Sequence, residues 1–357
     1  MHISELAAVG VFCSYFSIIA GLFLLIARSL FSQDLGSRAY VFIALAITSF
    51  VHTWFYMFKF MAWSFTDYER STGATIFTGL TVERMSQWLL NTSLFEQAWA
   101  NVCFGQVNWW WSQQLCLFTV GAWTIFLSIE GRRHNVQFIW AYMLLGQLVA
   151  ISVASNLFYL ALVLAPRPPS PSSNHGLSSL QAPVALWLPV LLSLGTVATS
   201  PFTSERSFLP NLLLMHSLIV LPLLAPDRLF PLGQASTQTK SYFGISLKTL
   251  YILVFGAALA LHTRATGQAL GDPAVSVTDF TLKAWNVLHS HPAQSSIGWD
   301  VIWTSISFVV WLVLQPELQG RLLTATYLLL ATPLVSVGVL APHVLRPREN
   351  EREEKVQ

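Results

Sequence analysis

Carboxylic acids at the edges of apolar stretches are the residues most able to do chemistry here: Asp67, Glu69, Glu96, Glu130 and Asp300. A carboxyl group buried beside aromatic rings can keep its proton at neutral pH and serve as a general acid. Asp67 and Glu69 close the aromatic run Trp63-Ser-Phe-Thr-Asp67-Tyr-Glu69-Arg70. Glu96 lies on an amphipathic stretch on which Trp88, Thr92, Phe95 and Trp99 fall on about one helical face. Asp300 opens an apolar segment, where an acid also complements the helix dipole. Glu130 begins Glu130-Gly-Arg-Arg-His134, where a salt bridge to Arg132 or Arg133 is expected. Asp67, Glu69, Glu96 and Asp300 are therefore the candidate proton donors.

Aromatic and polar groups share helical faces with these acids. Nine of the 14 tryptophans lie between Trp54 and Trp140. Interfacial belts account for Trp109-Trp-Trp111 and Trp299, but less well for rings on polar stripes. Such stripes are Thr48, His52, Tyr56, Lys59 and Trp63; Trp110, Gln114, Gly121, Thr124 and Ser128; Ser152, Asn156 and Tyr159; and Asp300, Thr304, Ser307 and Trp311. Lys59 lies near a helix end, where snorkelling to the interface is an alternative to an inward role. Polar groups are costly towards lipid, so these faces are expected to point inward. Interhelical hydrogen bonds explain each residue singly; together the faces suggest an aromatic-walled cavity. Its expected lining is Trp54, Tyr56, Trp63, Trp99, Gln114, Trp123 and Asn156.

Other chemistries lack their residues. The aspartates at Asp34, Asp67, Asp227, Asp272, Asp279 and Asp300 form no DDxxD, DxxxD or DxDD cluster to hold magnesium and a diphosphate. The histidines form no HxxxH or HxxHH box, and His289-Ser-His291 alone is a weak metal signal. No GxGxxG, GxxxxGK[ST] or GxSxG motif is present. Cys13, Cys103 and Cys116 give neither a CxxC nor a disulfide framework. The expected site uses no cofactor and no metal.

The elements that must position these residues are membrane helices. Of 357 residues, 54% are hydrophobic and only 10% charged, against about a quarter in soluble domains. That excludes an ordinary soluble enzyme and a disordered chain. A net charge of +2 gives no footprint for nucleic acid. About 20 mostly apolar residues make a span. The expected spans are Leu6–Ala27, Ala39–Trp63, Trp110–Ser128, Val136–Ala165, Pro183–Ser200, Phe208–Ala225, Phe243–His262, Trp299–Gln315 and Leu322–Ala341. The fold class is an all-α polytopic bundle of eight or nine spans. The first segment has no basic n-region or clear cleavage site and reads as a retained helix. Residues 1–165 hold the first four helices and the expected cavity, 166–182 a Pro/Ser-rich linker, 183–342 the remaining helices, and 343–357 a charged, disordered, dispensable tail. No internal repeat is visible, which weakens a transporter of inverted halves.

With nine spans, Arg28, Arg38, Arg132, Arg133, Arg206, Arg264, Lys283 and the tail cations share one side. Arg70, Arg84, Arg167, Arg228, Lys240 and Arg321 share the other. The tail is then expected in the cytosol and the amino terminus in the lumen, with the endoplasmic reticulum as the compartment. The segment from Ser64 to Asn108 would be lumenal, which suits glycosylation of Asn91 in Asn91-Thr-Ser93.

Three runs carry a family resemblance: Trp88-Leu-Leu-Asn-Thr-Ser-Leu-Phe-Glu96-Gln-Ala-Trp99, Trp109-Trp-Trp-Ser-Gln-Gln114, and Glu130-Gly-Arg-Arg-His134 followed by Trp140-Ala-Tyr-Met-Leu-Leu-Gly-Gln147. Over Trp54–Leu164 the chain resembles the fungal membrane-bound terpene cyclases of ascochlorin and ascofuranone biosynthesis (the AscI and AscF type). The resemblance implies a meroterpenoid pathway of secondary metabolism and a lipophilic prenylated aromatic substrate. An acid protonates its terminal epoxide, the ring opens to a carbocation, internal alkenes or a hydroxyl trap it, and proton loss ends the reaction. No catalytic position is carried over from the family. Aromatic faces stabilise such a cation through their quadrupoles. A transporter or efflux component for a pathway metabolite is the alternative, and a structural or receptor-like membrane protein without a cavity is a third reading.

Overall fold

Backbone N–H and C=O groups in lipid must be paired within the chain, which leaves helices as the means of crossing. The computed structural model describes residues 3–30, 36–73, 81–166, 180–230, 243–271, 276–315 and 322–347. It is an all-α polytopic bundle. Among the described residues seven helices are long and apolar enough to cross a membrane. They are α1 (Ile3–Leu30), α2 (Ser37–Ser71), the central helix Gln106–Arg133, α9 (Val184–Thr199, with a short continuation to Phe202), α10 (Glu205–Leu224), α11 (Leu247–Leu270) and α13 (Pro292–Leu314).

The central helix is built from α5 (Gln106–Leu117), a wide π turn at Phe118–Trp123, and α6 (Thr124–Arg133). Of the residues in its most apolar stretch 94% are buried, and α9, α10, α11 and α13 are among the helices packed against it. Three short helices lie near one end of the bundle: α3 (Thr81–Asn91), α4 (Leu94–Cys103) and α12 (Val277–Leu288). At the opposite end a two-residue antiparallel pair, β1 (Gln181–Ala182) with β2 (Ile245–Ser246), ties the start of α9 to the start of α11.

Two expected spans are broken. The segment Val136–Ala165 divides into α7 (Ile139–Leu148) and α8 (Ile151–Leu164). In one continuous helix Tyr142 and Phe158 would stand about 24 Å apart. Their rings are 5.5 Å apart, and a Cβ added at Gly146 would lie 3.3 Å from the Ala154 Cβ. The pair is therefore a tight antiparallel hairpin. The segment Leu322–Ala341 divides into α14 (Leu322–Val335) and α15 (Val337–Leu345), with Ser336 at φ 76° between them. Residues His343–Leu345, expected at the start of the tail, belong to α15. The rest of the expected linker and tail falls largely outside the described residues.

Both hairpins turn back partway through the bundle. The α7–α8 tip sits level with Asp300, eight residues into α13, and α8 then runs alongside α13 so that Tyr159 stacks on Trp311 at 5.3 Å. The α14–α15 tip sits at the π turn: a Cβ at Gly338 would meet the Leu117 Cβ at 2.8 Å, the Gln114 carbonyl oxygen at 2.9 Å and the Phe118 nitrogen at 3.0 Å. From there α15 leads back, with His343 against Phe255. Both hairpins thus begin and end towards the Arg132 end of the bundle.

That end is clamped by one guanidinium. Arg132 donates to Asp227 at 2.9 Å, to the carbonyls of Pro222 and Ala225 at 3.0 and 2.8 Å, and to the Ser128 hydroxyl at 2.8 Å. Its face covers the Phe230 ring at 3.8 Å. It joins α6 to the end of α10, using the planar fork of donors that only arginine offers.

Candidate functional site

Two polar regions stand out, one open and one buried. The open one is a cleft of about 550 Å³ at the end opposite Arg132, between the last turns of α2 and the helices α3 and α4. Its floor is a chain of hydrogen bonds: Trp88 Nε1 donates to the Ser64 hydroxyl at 3.2 Å, and Ser64 donates to Gln97 Oε1 at 2.8 Å. Asp67, Tyr68, Asn91 and Thr92 complete the wall. Asp67 is half-buried and has neither a hydrogen bond nor an ion pair among the described residues.

The other expected acids are placed differently. Glu69 is held by Arg84, with Nη2 at 2.5 Å and Nε at 2.6 Å from Oε1. Glu96 is half-buried on α4, outside the cleft lining and without an ion pair among the described residues. Glu130 pairs with Arg133 at 2.7 Å, as its spacing suggested, whereas Arg132 turns to Asp227. Asp300 does not start its helix: α13 begins at Pro292. Instead Oδ2 accepts from the Ile151 N–H at 2.9 Å and Oδ1 from the Ser152 N–H at 2.8 Å. It caps the first turn of α8, and both oxygens are committed to backbone donors that would otherwise be orphaned.

The face shared by Trp88, Thr92, Phe95 and Trp99 is divided by the break between α3 and α4. Trp88 packs on Phe12 and Phe65, Phe95 on Tyr15, and Trp99 on His216 of α10. The stripe on α2 is not an inner wall either. Thr48 and Lys59 are exposed; α2 runs on to Ser71, so Lys59 does not lie near its end as expected, and its ammonium sits over the Phe55 ring one turn back at 4.6 Å. His52 accepts from Trp303 Nε1 at 3.1 Å, and Tyr56 packs beside it. Trp54 is buried against Phe16 and Phe50, on the α1 side. Trp63 rests on the His291 ring at 4.4 Å. Burial pushes that imidazole below its ordinary pKa. Asn91 is exposed beside the cleft, its amide donating to the Gln87 carbonyl at 2.8 Å and to the Tyr68 hydroxyl at 3.1 Å.

The buried region is a seam where α8, α13 and the π turn meet. Asn156 is fully buried on α8, as are Thr304 and Ser307 on α13, and Trp123 and Trp311 are nearly so. Phe118, Phe126, Phe158, Tyr159 and Phe308 surround them. Gln114 is buried nearby, donating to the Trp110 carbonyl at 3.0 Å. The structure thus brings Asn156, Trp123 and Asp300 to one region and Asp67 and Asn91 to another, while Trp54, Tyr56, Trp63 and Trp99 lie apart from both.

Sequence reasoning passed over the groups that hold the hairpin tip. Tyr15 of α1 donates to the Leu148 carbonyl at 2.6 Å, and Gln147 donates to the His216 carbonyl at 3.2 Å. A tyrosine in an apolar helix carries no spacing signal for such a role. The chain matches no family model, no curated protein and no solved structure.

Proposed function

We propose that the chain is a membrane-bound terpene cyclase of the kind its sequence resembles, working at the cleft with Asp67 as proton donor. The observation that carries this reading is the fate of the candidate acids. Glu69 is tied to Arg84 and Asp300 to the start of α8, whereas Asp67 lines the cleft uncommitted. A cleft of about 550 Å³ falls in the usual range of small-molecule sites. Opening an epoxide needs an acid that gives its proton to the ring oxygen, in a site from which a prenyl chain expels water. The acid's proton goes to the epoxide oxygen as the C–O bond breaks. An internal alkene then attacks the cation, and the cyclised cation loses a proton, so one proton enters, one leaves and the reaction balances as an isomerisation. The substrate would be a lipid-soluble, epoxidised prenyl aromatic of fungal meroterpenoid metabolism. No cofactor takes part in these steps. The exposed Asn91 sequon at the cleft would place that end in the lumen of the endoplasmic reticulum.

Asp67→Asn keeps shape and removes the proton. In microsomes given an epoxyfarnesyl aromatic and no cofactor, the variant is expected to lose about 10²–10⁴-fold in rate at normal expression. Full activity would remove Asp67 from the mechanism. A second reading, transport of a pathway metabolite, is favoured by the two broken helices, since discontinuous membrane helices line transporter sites. Uptake without conversion in the same microsomes would select it.

A further inference from the structure

The seam between α8, α13 and the π turn has a chemistry of its own. Five buried polar atoms there have no hydrogen-bond partner among the described residues: Trp123 Nε1, Trp311 Nε1, Ser307 Oγ, and both Nδ2 and Oδ1 of Asn156. A buried polar group left unpaired costs about 1–3 kcal/mol. Three such groups lie on the faces of two adjoining helices and a fourth on the central one, a concentration of unpaired polar groups that asks for a physical account.

The groups share neighbours. Trp123 and Trp311 both pack on Tyr159, with centroids 6.1 and 5.3 Å away, and both touch Phe126, at 6.2 and 4.9 Å. Asn156 lies one turn before Tyr159 on α8, and Ser307 one turn before Trp311 on α13. Asp300 pins residue 152 to residue 300, and the Tyr159–Trp311 stack pins 159 to 311. Asn156 and Ser307 fall between those two points on facing helices.

The set is rich in donors. An indole N–H can only donate, an amide nitrogen donates twice, and a hydroxyl can donate once. Its one strong acceptor is Asn156 Oδ1. The fitting ligand therefore presents acceptors, and the aromatic surroundings, which among the described residues hold no cation and have the Asp300 carboxyl at Ser152, one turn away on α8, exclude an anion. We propose that this seam is an intramembrane binding site for an uncharged, lipid-soluble molecule carrying acceptor oxygens, such as a ketone, ester or ether on a prenyl chain. The hairpin α7–α8 is one wall of the site. The inference goes beyond the cleft chemistry and does not need it.

The test uses the full chain in lipid nanodiscs with a tritiated photoreactive farnesyl ketone. Unlabelled farnesyl ketone is expected to prevent labelling, and the saturated hydrocarbon farnesane is not. Labelled peptides should come from α8 and α13. Trp311→Phe and Trp123→Phe keep a ring in place and remove one donor, so each should weaken ketone competition about 3–10-fold, the range of one lost hydrogen bond. Ser307→Ala, the smallest change, should do the same where either tryptophan variant fails to fold. Asp67→Asn should leave ketone binding unchanged, which separates this site from the cleft. Equal competition by farnesane, label confined to α2–α4, or wild-type affinity in the folded donor variants would each overturn the proposal.

Discussion

The hairpins α7–α8 and α14–α15 reach similar depths in the bundle but turn for different reasons. The second breaks locally. Ser336 takes a positive φ of 76°, its hydroxyl accepts from the Gly338 N–H at 3.1 Å, and Gly338 lets the tip rest on the π turn. The first breaks at Val149–Ala150, where there is neither glycine nor proline. Its turn is held by residues far away in sequence: Asp300 on the α8 side and Tyr15 on the α7 side. One tip carries its own cap, and the other borrows one from α13. A borrowed cap makes the turn conditional on the packing of α13, whereas a local cap forms with its own segment.

The sharpest way to break this contrast is Asp300→Ala. It leaves the Ile151 and Ser152 N–H groups buried and unpaired, and is expected to cost about 3 kcal/mol. Unfolding titrated with detergent should show it, with the Asn variant intermediate. A loss below about 0.5 kcal/mol would mean that the tip does not depend on α13. Next in size is Gly338→Ala. The added Cβ meets backbone at Gln114 and Phe118, which cannot rotate away, so a loss of about 2 kcal/mol is expected in thermal melts. Gly146→Ala on the first hairpin should be milder. Its nearest obstacle is the tip of the Ile151 side chain at 2.7 Å, and alanine favours the helix by about 0.8 kcal/mol. Net change within about 0.5 kcal/mol is expected, and a larger loss would show the first hairpin to be the tighter one. Smallest of all is Ser336→Gly. It loses a cap worth about 1 kcal/mol and relieves a strained φ by a similar amount, so melting should barely move.

The difference also explains what could be read from the sequence. An all-α membrane bundle was legible from 54% hydrophobic and 10% charged residues, because lipid permits little else. The Glu130–Arg133 pair was legible because three residues on a helix fix neighbours. The α7–α8 break was not, since hydropathy reports only apolar length and its cause lies 149 residues away. The polar faces of Ser152–Asn156–Tyr159 and Asp300–Thr304–Ser307–Trp311 were readable as inward. That of α2 was misread, because half-exposed aromatics and an exposed lysine share the same spacing.

The hairpins bear on how the chain enters a membrane. A segment that turns back returns its flanks to one side, so the helix after each hairpin starts from the side on which the hairpin began. Arg70, Arg84, Arg206, Arg264 and Lys283 then belong to the cleft end, and Lys59 lies within α2. Among the described residues Arg28, Arg38, Arg132, Arg133, Lys248 and Arg346 fall at the Arg132 end. Nine full crossings would instead set Arg206, Arg264 and Lys283 on the side of Arg132. During insertion, cations near helix ends resist translocation. The two turns that fail to cross therefore decide which cations share an end, and with that the charge balance between the two ends of the bundle.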